Sequence, residues 1–142
     1  IMAAIGLVQL QRYDSLLQKR RNIIRRYDEM CNELGVMHLN HYTESSSSSG
    51  HLYLTRVPGI SDEQRRDIII KLAEMGVSTN VHYKPLPMMS AYKKMGWDIK
   101  DFPNAYAYYE NLITLPLHTK LSDEMVEYVI KCFKKVIKEY IK

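Results

Sequence analysis

Three adjacent side chains, His82, Tyr83 and Lys84, offer an imidazole, a phenol and an ammonium group in direct succession. They lie in the stretch GVSTNVHYKPLP, residues 76–87, where β-branched and apolar residues alternate before two prolines follow. Because proline cannot continue a central strand, the alternation predicts a strand over residues 77–83 that ends at these side chains. Loops that leave strand ends often contact ligands, so these three are the candidate binding residues.

Each of the three also has a purely structural interpretation, and spacing alone leaves both interpretations open. His82 is either a ligand contact or a hydrogen-bonded histidine at a sheet edge. Lys84 either serves a phosphate as a point charge or is simply solvated. Tyr83 shares strand parity with Val81 and Thr79, so it either packs into the core with an exposed hydroxyl or faces a ligand.

A strand and a helix precede this stretch and should help to position it. The run HLYLTRV, residues 51–57, alternates with its two leucines on one face and its tyrosine and threonine on the other, which predicts the first strand. The run SDEQRRDIIIKLAEMG, residues 61–76, predicts a helix that opens with a capping box of Ser61 and Gln64. If the two strands are parallel neighbours, their connection is expected to be right-handed.

The beginning of the chain predicts one long amphipathic helix over residues 1–35, with Gly35 as its C-terminal cap. No capping residue stands ahead of it, so we expect the chain to begin inside a longer polypeptide. Its basic run QKRRNIIRRYDEM is interpreted as a solvated face, with an anion-binding helix or a subunit contact as alternatives. The serine-rich segment 43–50 that follows predicts a mobile loop.

The C-terminal third predicts short elements followed by one clear helix. MMSAYKKMG and FPNAYAYYENL each predict a short helix or turn, and NLITLPLH predicts a third short strand. The last helix is capped by Ser122, and five of its residues share one apolar face: Met125, Val129, Phe133, Val136 and Tyr140. The whole pattern is typical of an α+β domain, a small sheet of about three strands with helices packed mainly on one face.

Composition limits the classes of protein that the chain can belong to. Its 142 residues, 46% hydrophobic and 25% charged, suit one globular domain. The net charge of +4 is spread along the chain and interleaved with acids, which argues against a nucleic-acid face. No segment approaches the roughly 18 apolar residues needed to span a bilayer. Cys31 and Cys132 lack metal-ligand spacing and are expected to be reduced core residues of a cytoplasmic protein.

The remaining histidines and tyrosines give weaker indications. His38 and His41 have no acidic or cysteine partner at ligand spacing, so a metal site is not expected there. His118 is interpreted as a structural loop residue. Three tyrosines at positions 106, 108 and 109 indicate a partly buried helix face, with an aromatic contact surface as the alternative. The nucleophile-elbow, P-loop and dinucleotide-binding motifs do not occur in the sequence, so spacing alone reveals no catalytic machinery.

Three pieces of sequence, in this order and at these separations, carry a family resemblance. They are AAIGLVQLQRYDSLLQKRR, then HLYLTR followed after a helix by MGVSTNVHYKPLP, then YYENLITLPLHTKLSDEMVEYVIKC. Together they resemble the C-terminal part of the DegT/DnrJ/StrS family of sugar aminotransferases. Those enzymes use pyridoxal phosphate (PLP) to aminate keto-sugars attached to nucleotides. The resemblance covers nearly the whole chain, and the serine-rich stretch is its main departure.

The resemblance implies a fold-type I aminotransferase of which residues 1–142 are the small C-terminal domain. Residues 1–35 would join this domain to a large N-terminal domain, so we expect exposed apolar surface near residues 1–10. In the family the large domain carries the Schiff-base lysine and holds PLP. The resemblance therefore implies no catalytic, cofactor-binding or metal residue in this chain, which should be inactive alone. It also implies a homodimer, with glutamate as the amino donor.

For the three candidate residues, the resemblance implies that the HYKPL segment meets the active-site cleft. His82, Tyr83 and Lys84 would then be held towards the nucleotide-sugar. Lys84 and a protonated or donating His82 suit a diphosphate, and a tyrosine offers an aromatic face and a hydroxyl to a sugar or base. Two alternatives remain at this stage: a non-catalytic regulatory relative that has lost the upstream lysine, and a basic interaction module whose nucleic-acid binding would be salt-sensitive.

Overall fold

A three-stranded antiparallel sheet organises residues 1–141, the part of the chain that the computed structural model describes. The strands lie in the order β1, β2, β3, with bounds Met37–His38, Tyr53–Arg56 and Leu112–Leu115. Tyr53 pairs with Leu115 and Arg56 with Leu112, so β2 and β3 match along their full length. Three strands with helices around them confirm the predicted α+β class.

Helix α1, Met2–Leu34, confirms the predicted long N-terminal helix. It ends at Gly35, whose φ of 67° is left-handed, and Val36 N–H donates to Cys31 O at 2.9 Å. This is the geometry in which glycine closes a helix at no steric cost. Buried residues of α1 occur only from Ile23 onwards, whereas the apolar side chains of its first turns are exposed. The expectation of exposed apolar surface near residues 1–10 is confirmed.

The basic run of α1 makes several contacts within the chain. Arg26 bridges to Asp123 at 3.1 Å and to Glu127 at 2.8 Å, both on α5 (Asp123–Ile137). Arg25 pairs with Glu29 one turn away at 3.0 Å. Arg20 donates to Gly50 O at 2.9 Å. Arg20 and Arg26 tie α1 to its neighbours, which favours a structural interpretation of the basic run over a dedicated anion-binding face.

Helices α2 and α5 begin at the positions that were predicted from their capping residues. In α2, Asp62–Glu74, the Ser61 side chain accepts from Gln64 N–H while the Gln64 side chain accepts from Ser61 N–H, a complete capping box. In α5, the Ser122 side chain accepts from Met125 N–H. The predicted apolar face was wrong at Met125, which is 50% exposed. Its place is taken by Val126, because the face that packs on the core is rotated by one residue there.

The predicted strand over residues 77–83 is wrong. The segment pairs with β3 only through one bridge, between Asn80 and Thr114. A strand needs a ladder of such bonds, and the two prolines that follow stop the ladder from growing. The conditional right-handed crossover does not arise either, since this segment neighbours β3 and that bridge is antiparallel. Besides β2 and β3, which were both predicted, the sheet contains the two-residue strand β1. The sequence pattern did not indicate this strand.

The structure shows which face of β2 is buried. Tyr53, Thr55 and Val57 are buried, whereas Leu54 is only half-buried. Burial of the polar atoms is possible because they find partners: the Tyr53 hydroxyl donates to Asp28 at 2.7 Å and the Thr55 hydroxyl to Ile113 O at 2.8 Å. Hydrogen bonding thus allows the face with the tyrosine and threonine to lie inward.

One core joins the buried face of the sheet to α1, α2 and α5. Its largest fully buried side chains include Tyr27, Tyr53, Phe133, Ile68 and Leu72. Cys31 and Cys132 are free and buried in the same core, as predicted. No helix within residues 1–141 is long and apolar enough to cross a membrane.

The loop between β1 and β2 contains the serine-rich segment. A bridge joins Tyr42 to Ser47, and Thr43 N–H donates to Ser46 O at 2.9 Å. Gly50, at its end, is buried with φ 65°. The loop itself was predicted correctly, and the mobility of residues 43–50 stays a prediction.

Helices α3 and α4 are short and lead into β3. Helix α3 spans Ser90–Lys94 and α4 spans Pro103–Tyr109, with proline at its first position as predicted. Two arginines hold the end of α4: Arg56 donates to Ala107 O at 3.0 Å, and the buried Arg65 donates to Tyr109 O. Tyr109 is buried and its neighbours Tyr106 and Tyr108 are half-buried, which agrees with the predicted helix face.

Candidate functional site

The segment that carries the candidate residues is held against β3. Its start is fixed by Val77, which is buried and donates to Leu72 O at 2.9 Å. Asn80 N–H donates to Thr114 O at 3.2 Å, and Thr114 N–H donates to Asn80 O at 2.7 Å. Because a pair of backbone bonds fixes the segment just before the prolines, the side chain at position 82 leaves it at a defined place.

His82 is the best-positioned of the three candidates. Its Nδ1 lies 3.0 Å from the Thr114 hydroxyl oxygen, and its ring is half-buried. The Tyr83 ring meets it edge-on, with centroids 4.7 Å apart and an interplanar angle of 86°. The peptide bond between His82 and Tyr83 is cis. One imidazole nitrogen is thus engaged by the fold, which leaves Nε2 for another partner.

Tyr83 and Lys84 lie outside the core. Tyr83 is 70% exposed, so the alternative in which it packs into the core is excluded. Lys84 is exposed, and no carboxylate within residues 1–141 forms a salt bridge with it. Both side chains are available to a ligand, although the Tyr83 ring also packs edge-on against His82.

A small pocket of about 170 Å³ lies beside His82. Besides His82 its walls include hydroxyl, amide and imidazole groups: His51, Ser78, Thr79, Asn80 and Thr114. Apolar contacts come from Leu52, Leu115, Pro116 and Leu117. Neither Tyr83 nor Lys84 lines it. The structure therefore brings only one of the three predicted residues into the pocket.

The other polar residues of this pocket were not among the predicted site residues. His51 stands immediately before β2, and Thr114 lies within β3, more than 30 positions away from His82 in sequence. Only the pairing of residues 77–82 with β3 brings Thr114 beside His82, and no local pattern reports such pairing. The run NLITLPLH marked Thr114 only as a strand residue.

A second, more apolar pocket of about 370 Å³ adjoins the first, because Ser78 and Pro116 line both. Its floor is formed by Val77, Leu121, Met125, Tyr128 and Val129. Among its polar groups are His118, which is exposed, and Glu124 in the first turn of α5. The two pockets make one groove along residues 76–82.

The chemistry of the small pocket is hydrogen bonding. Hydroxyls and an amide can donate or accept, and the two imidazoles can add a donor or, when protonated, a positive charge. Among the described residues that line it, neither a carboxylate nor a lysine is present. This set can bind a polar or anionic group, but it lacks a paired acid and base.

Lys71 does not fit a covalent PLP site. A lysine that bonds to PLP needs a lowered pKa and a position in a cleft. The Tyr140 hydroxyl, with Glu139 and Asp67, instead raises the pKa of Lys71, and that side chain lies on the surface between α2 and the C-terminus. The pocket beside His82 likewise holds no lysine among the residues described.

A second polar cluster surrounds Tyr53. His38 Nδ1 lies 3.1 Å from an Asp28 oxygen, and the His41 ring stacks on Tyr53 with centroids 5.6 Å apart. Burial lowers the pKa of His41, while the nearby Asp28 acts against this shift. Burial also raises the pKa of Cys31 to about 12, so the thiol is not reactive. No group of three metal-ligating side chains occurs within residues 1–141.

Comparison with known proteins gives consistent matches over nearly the whole chain. A sequence profile of the DegT/DnrJ/EryC1/StrS aminotransferase family matches residues 1–134. The spore coat polysaccharide biosynthesis protein SpsC of Bacillus subtilis is 31% identical over 97% of this chain and 36% of its own length. The dTDP-4-dehydro-2,3,6-trideoxy-D-glucose 4-aminotransferase of Saccharopolyspora spinosa is 29% identical over 98% of this chain and 34% of its own.

Solved structures match equally well. The "Putative sugar aminotransferase Spr1654" of Streptococcus pneumoniae, in its apo form, superposes with a TM-score of 0.93 and 55% identity, over 97% of this chain and 35% of that one. The same protein has been solved in PLP and PMP forms. The aminotransferase TlmJ of Streptoalloteichus hindustanus gives a TM-score of 0.83 and 32% identity, over 96% and 36% of the two chains. The chain thus spans about a third of the length of the relatives that it matches.

Proposed function

Because the chain belongs to the DegT/DnrJ/EryC1/StrS aminotransferase family, we propose that it forms the small C-terminal domain of a PLP-dependent enzyme that aminates nucleotide-linked keto-sugars. The observation that carries this proposal is the family match over residues 1–134, together with relatives named as sugar aminotransferases. The named sugars of those relatives differ, so the proposal extends to the class of substrate and not to one sugar.

In this proposal the chain contributes to substrate binding. The groove beside His82 receives the nucleotide-sugar, with His82 donating a hydrogen bond from Nε2 and the exposed Lys84 pairing with a phosphate oxygen. Tyr83 offers its ring and hydroxyl to the sugar or base. The apolar half of the groove can exclude water from that contact. These residues bind and orient the substrate.

The rest of the enzyme lies outside this chain in the proposal. Bound PLP supplies the electron sink for moving an amino group, with glutamate as the donor, and its lysine belongs to the large N-terminal domain. Helix α1 joins the two domains, and its exposed first turns pack on the large one. The complete enzyme is a cytoplasmic homodimer that serves the biosynthesis of polysaccharides or other amino sugars. Residues 1–142 alone are inactive.

The test is made on the full-length gene product purified with PLP. After borohydride reduction, we expect a mass gain of one reduced cofactor per subunit, on a lysine that precedes Ile1. The same preparation, with glutamate, should convert a nucleotide-linked keto-sugar to the amino-sugar. Absence of the covalent adduct would overturn the enzymatic proposal and point to the non-catalytic relative. An adduct on a lysine within residues 1–142 would overturn the assignment of the cofactor to the other domain.

A further inference from the structure

We infer that Thr114 is a positioning residue, whose hydroxyl donates to Nδ1 of His82 and so fixes the imidazole with its proton on Nε2. This N–H then faces the groove as a hydrogen-bond donor for an acceptor oxygen of the substrate, such as a phosphate oxygen. The inference rests on the proposed function in one respect, namely that His82 contacts the substrate. The hydrogen bond and the tautomer follow from residues 1–141 alone.

Thr114 is firmly held in the structure. It is 4% exposed and lies within β3. Its backbone N–H and C=O are both bonded to Asn80, at 2.7 and 3.2 Å. Its hydroxyl lies 3.0 Å from Nδ1 of His82, and no other side-chain or backbone partner for that hydroxyl occurs within residues 1–141. Three bonds thus join one strand residue to the segment that carries His82.

The direction of the Thr114–His82 bond follows from the number of hydrogens available. A hydroxyl has one hydrogen to donate, and a neutral imidazole has one N–H and one acceptor nitrogen. If Nδ1 carried the proton, it would donate to Thr114, and the buried hydroxyl hydrogen would have no acceptor. If Nδ1 is the acceptor, the hydroxyl is satisfied and the proton lies on Nε2. Buried polar groups are nearly always hydrogen-bonded, so the second arrangement is the one that the fold selects.

This arrangement determines what His82 can recognise. An Nε2–H donates, and it therefore binds oxygens with lone pairs and rejects donor groups at the same place. The hydrogen bond that one ring nitrogen of a histidine makes determines whether the other nitrogen carries the proton. The same rule applies where an imidazole binds a metal. Thr114 lines the same pocket but is 4% exposed, so we assign its effect on the ligand to the bond with His82 and not to a direct contact.

The experiment compares Thr114→Val with Thr114→Ser in the full-length PLP-bound protein. Valine keeps the shape of threonine and both backbone bonds but removes the hydroxyl, whereas serine restores the hydroxyl. Each protein is labelled with ¹⁵N-histidine, and the His82 signal is assigned by its loss in His82→Gln. Two-bond nitrogen–proton correlations then report the tautomer. We expect the Nε2–H form in the natural protein and in Thr114→Ser, and a mixture of both tautomers in Thr114→Val.

Steady-state kinetics with the nucleotide-linked keto-sugar supply the second readout. We expect KM to rise about tenfold in Thr114→Val with kcat little changed, because a ground-state contact is weakened, and to return towards the natural value in Thr114→Ser. A purely packing role would instead leave the tautomer unchanged. If Thr114→Val does not fold, Thr114→Ala removes the same hydroxyl and serves in its place.

The outcomes separate this inference from the proposed function. An Nδ1–H tautomer in the natural protein, or an unchanged Nε2–H tautomer in the hydroxyl-free variant, would overturn the inference whatever the activity. A shifted tautomer with an unchanged KM would overturn the substrate contact of His82. A covalent PLP adduct with no activity on any nucleotide-linked sugar would refute the proposed substrate class and leave the tautomer result standing.

Discussion

Single residues in the candidate site differ in how much of their position the fold determines. His82 has one nitrogen engaged and a half-buried ring, so its contribution is set before any ligand arrives. Tyr83 and Lys84 are exposed and must be ordered by the ligand, which costs side-chain entropy. We therefore expect His82 to orient the ligand through a hydrogen bond of fixed direction, and Lys84 to attract it through its positive charge.

Replacement of Lys84 by methionine tests that charge. Methionine keeps much of the apolar length of the side chain but removes the ammonium. A charge-assisted bond to a phosphate is worth about 1.5 kcal/mol in such a position, so KM for the nucleotide-sugar should rise about tenfold while kcat changes little. Lys93→Met, at an exposed lysine of α3, is the matched control. An unchanged KM in Lys84→Met would remove Lys84 from the site.

His41 gives a prediction about pH and stability. Burial holds its pKa below the value of about 6.5 found in unfolded chains. Between the two pKa values the unfolded state therefore binds more protons than the folded state. The contribution of neutral His41 to the stability of the folded state is complete above about pH 6.5 and is lost as the pH falls through the folded-state pKa. Nearby Asp28 reduces the shift, and His38 increases it.

Urea unfolding of the chain at several pH values between 7.5 and 5.5 measures this effect. We expect the free energy of unfolding of the natural chain to decrease as the pH is lowered from 7.5 to 5.5. The decrease should be smaller in His41→Phe, which keeps a ring against Tyr53. His118→Gln, at an exposed histidine, should behave like the natural chain. An equal pH dependence in His41→Phe would show that other groups cause it.

Secondary structure elements show which parts of the fold a sequence can predict. Helices α1, α2 and α5 were predicted because their caps and periodicity are local, and Ser61 with Gln64 needs no distant partner. Strands depend on pairing between distant segments, so the pattern over residues 77–83 did not reveal that only Asn80 would pair. The same limit applies to the site. His82 was visible in the sequence, but its contact with Thr114 depends on that pairing.

The end of the serine-rich loop gives a prediction at the scale of the element. Gly50 has φ 65°, and a Cβ at this position would lie 2.8 Å from Cδ1 of the fully buried Ile24 of α1. Gly50→Ala should therefore combine a backbone cost with overpacking, about 2–3 kcal/mol in the free energy of unfolding. Gly59 has φ 81° with no atom near its Cβ position.

Gly59→Ala is thus a matched control that has the backbone cost alone, about 1 kcal/mol. Urea unfolding of both variants measures the difference, which reports the contact between the loop and α1. Equal losses in the two variants would mean that the loop can move away from Ile24, and would support the predicted mobility of residues 43–50 instead.

On the scale of the whole molecule, the chain has a closed hydrophobic core, but the first half of α1 does not pack against it. The core closes around α2, α5 and the second half of α1, whereas the first turns of α1 expose several apolar side chains: Met2, Ile5, Leu7, Val8, Leu10 and Tyr13. The relatives are about three times as long as this chain. Exposed apolar patches of this kind mark contact surfaces, and in the proposed enzyme the large domain covers this one.

The isolated chain should therefore self-associate through the first turns of α1. Analytical ultracentrifugation is expected to give an average mass above 16.7 kDa that rises with concentration. The double variant Ile5→Gln with Val8→Gln places polar groups one turn apart on the exposed stripe, at side chains that are 51% and 53% exposed. It should restore the monomer without lowering the free energy of unfolding by more than about 0.5 kcal/mol, because neither residue belongs to the core.

The pair Gln9→Ser and Gln11→Ser, at exposed polar positions of the same turns, should leave association unchanged. A natural chain that stays monomeric at high concentration would contradict the assignment of this stripe as a contact surface.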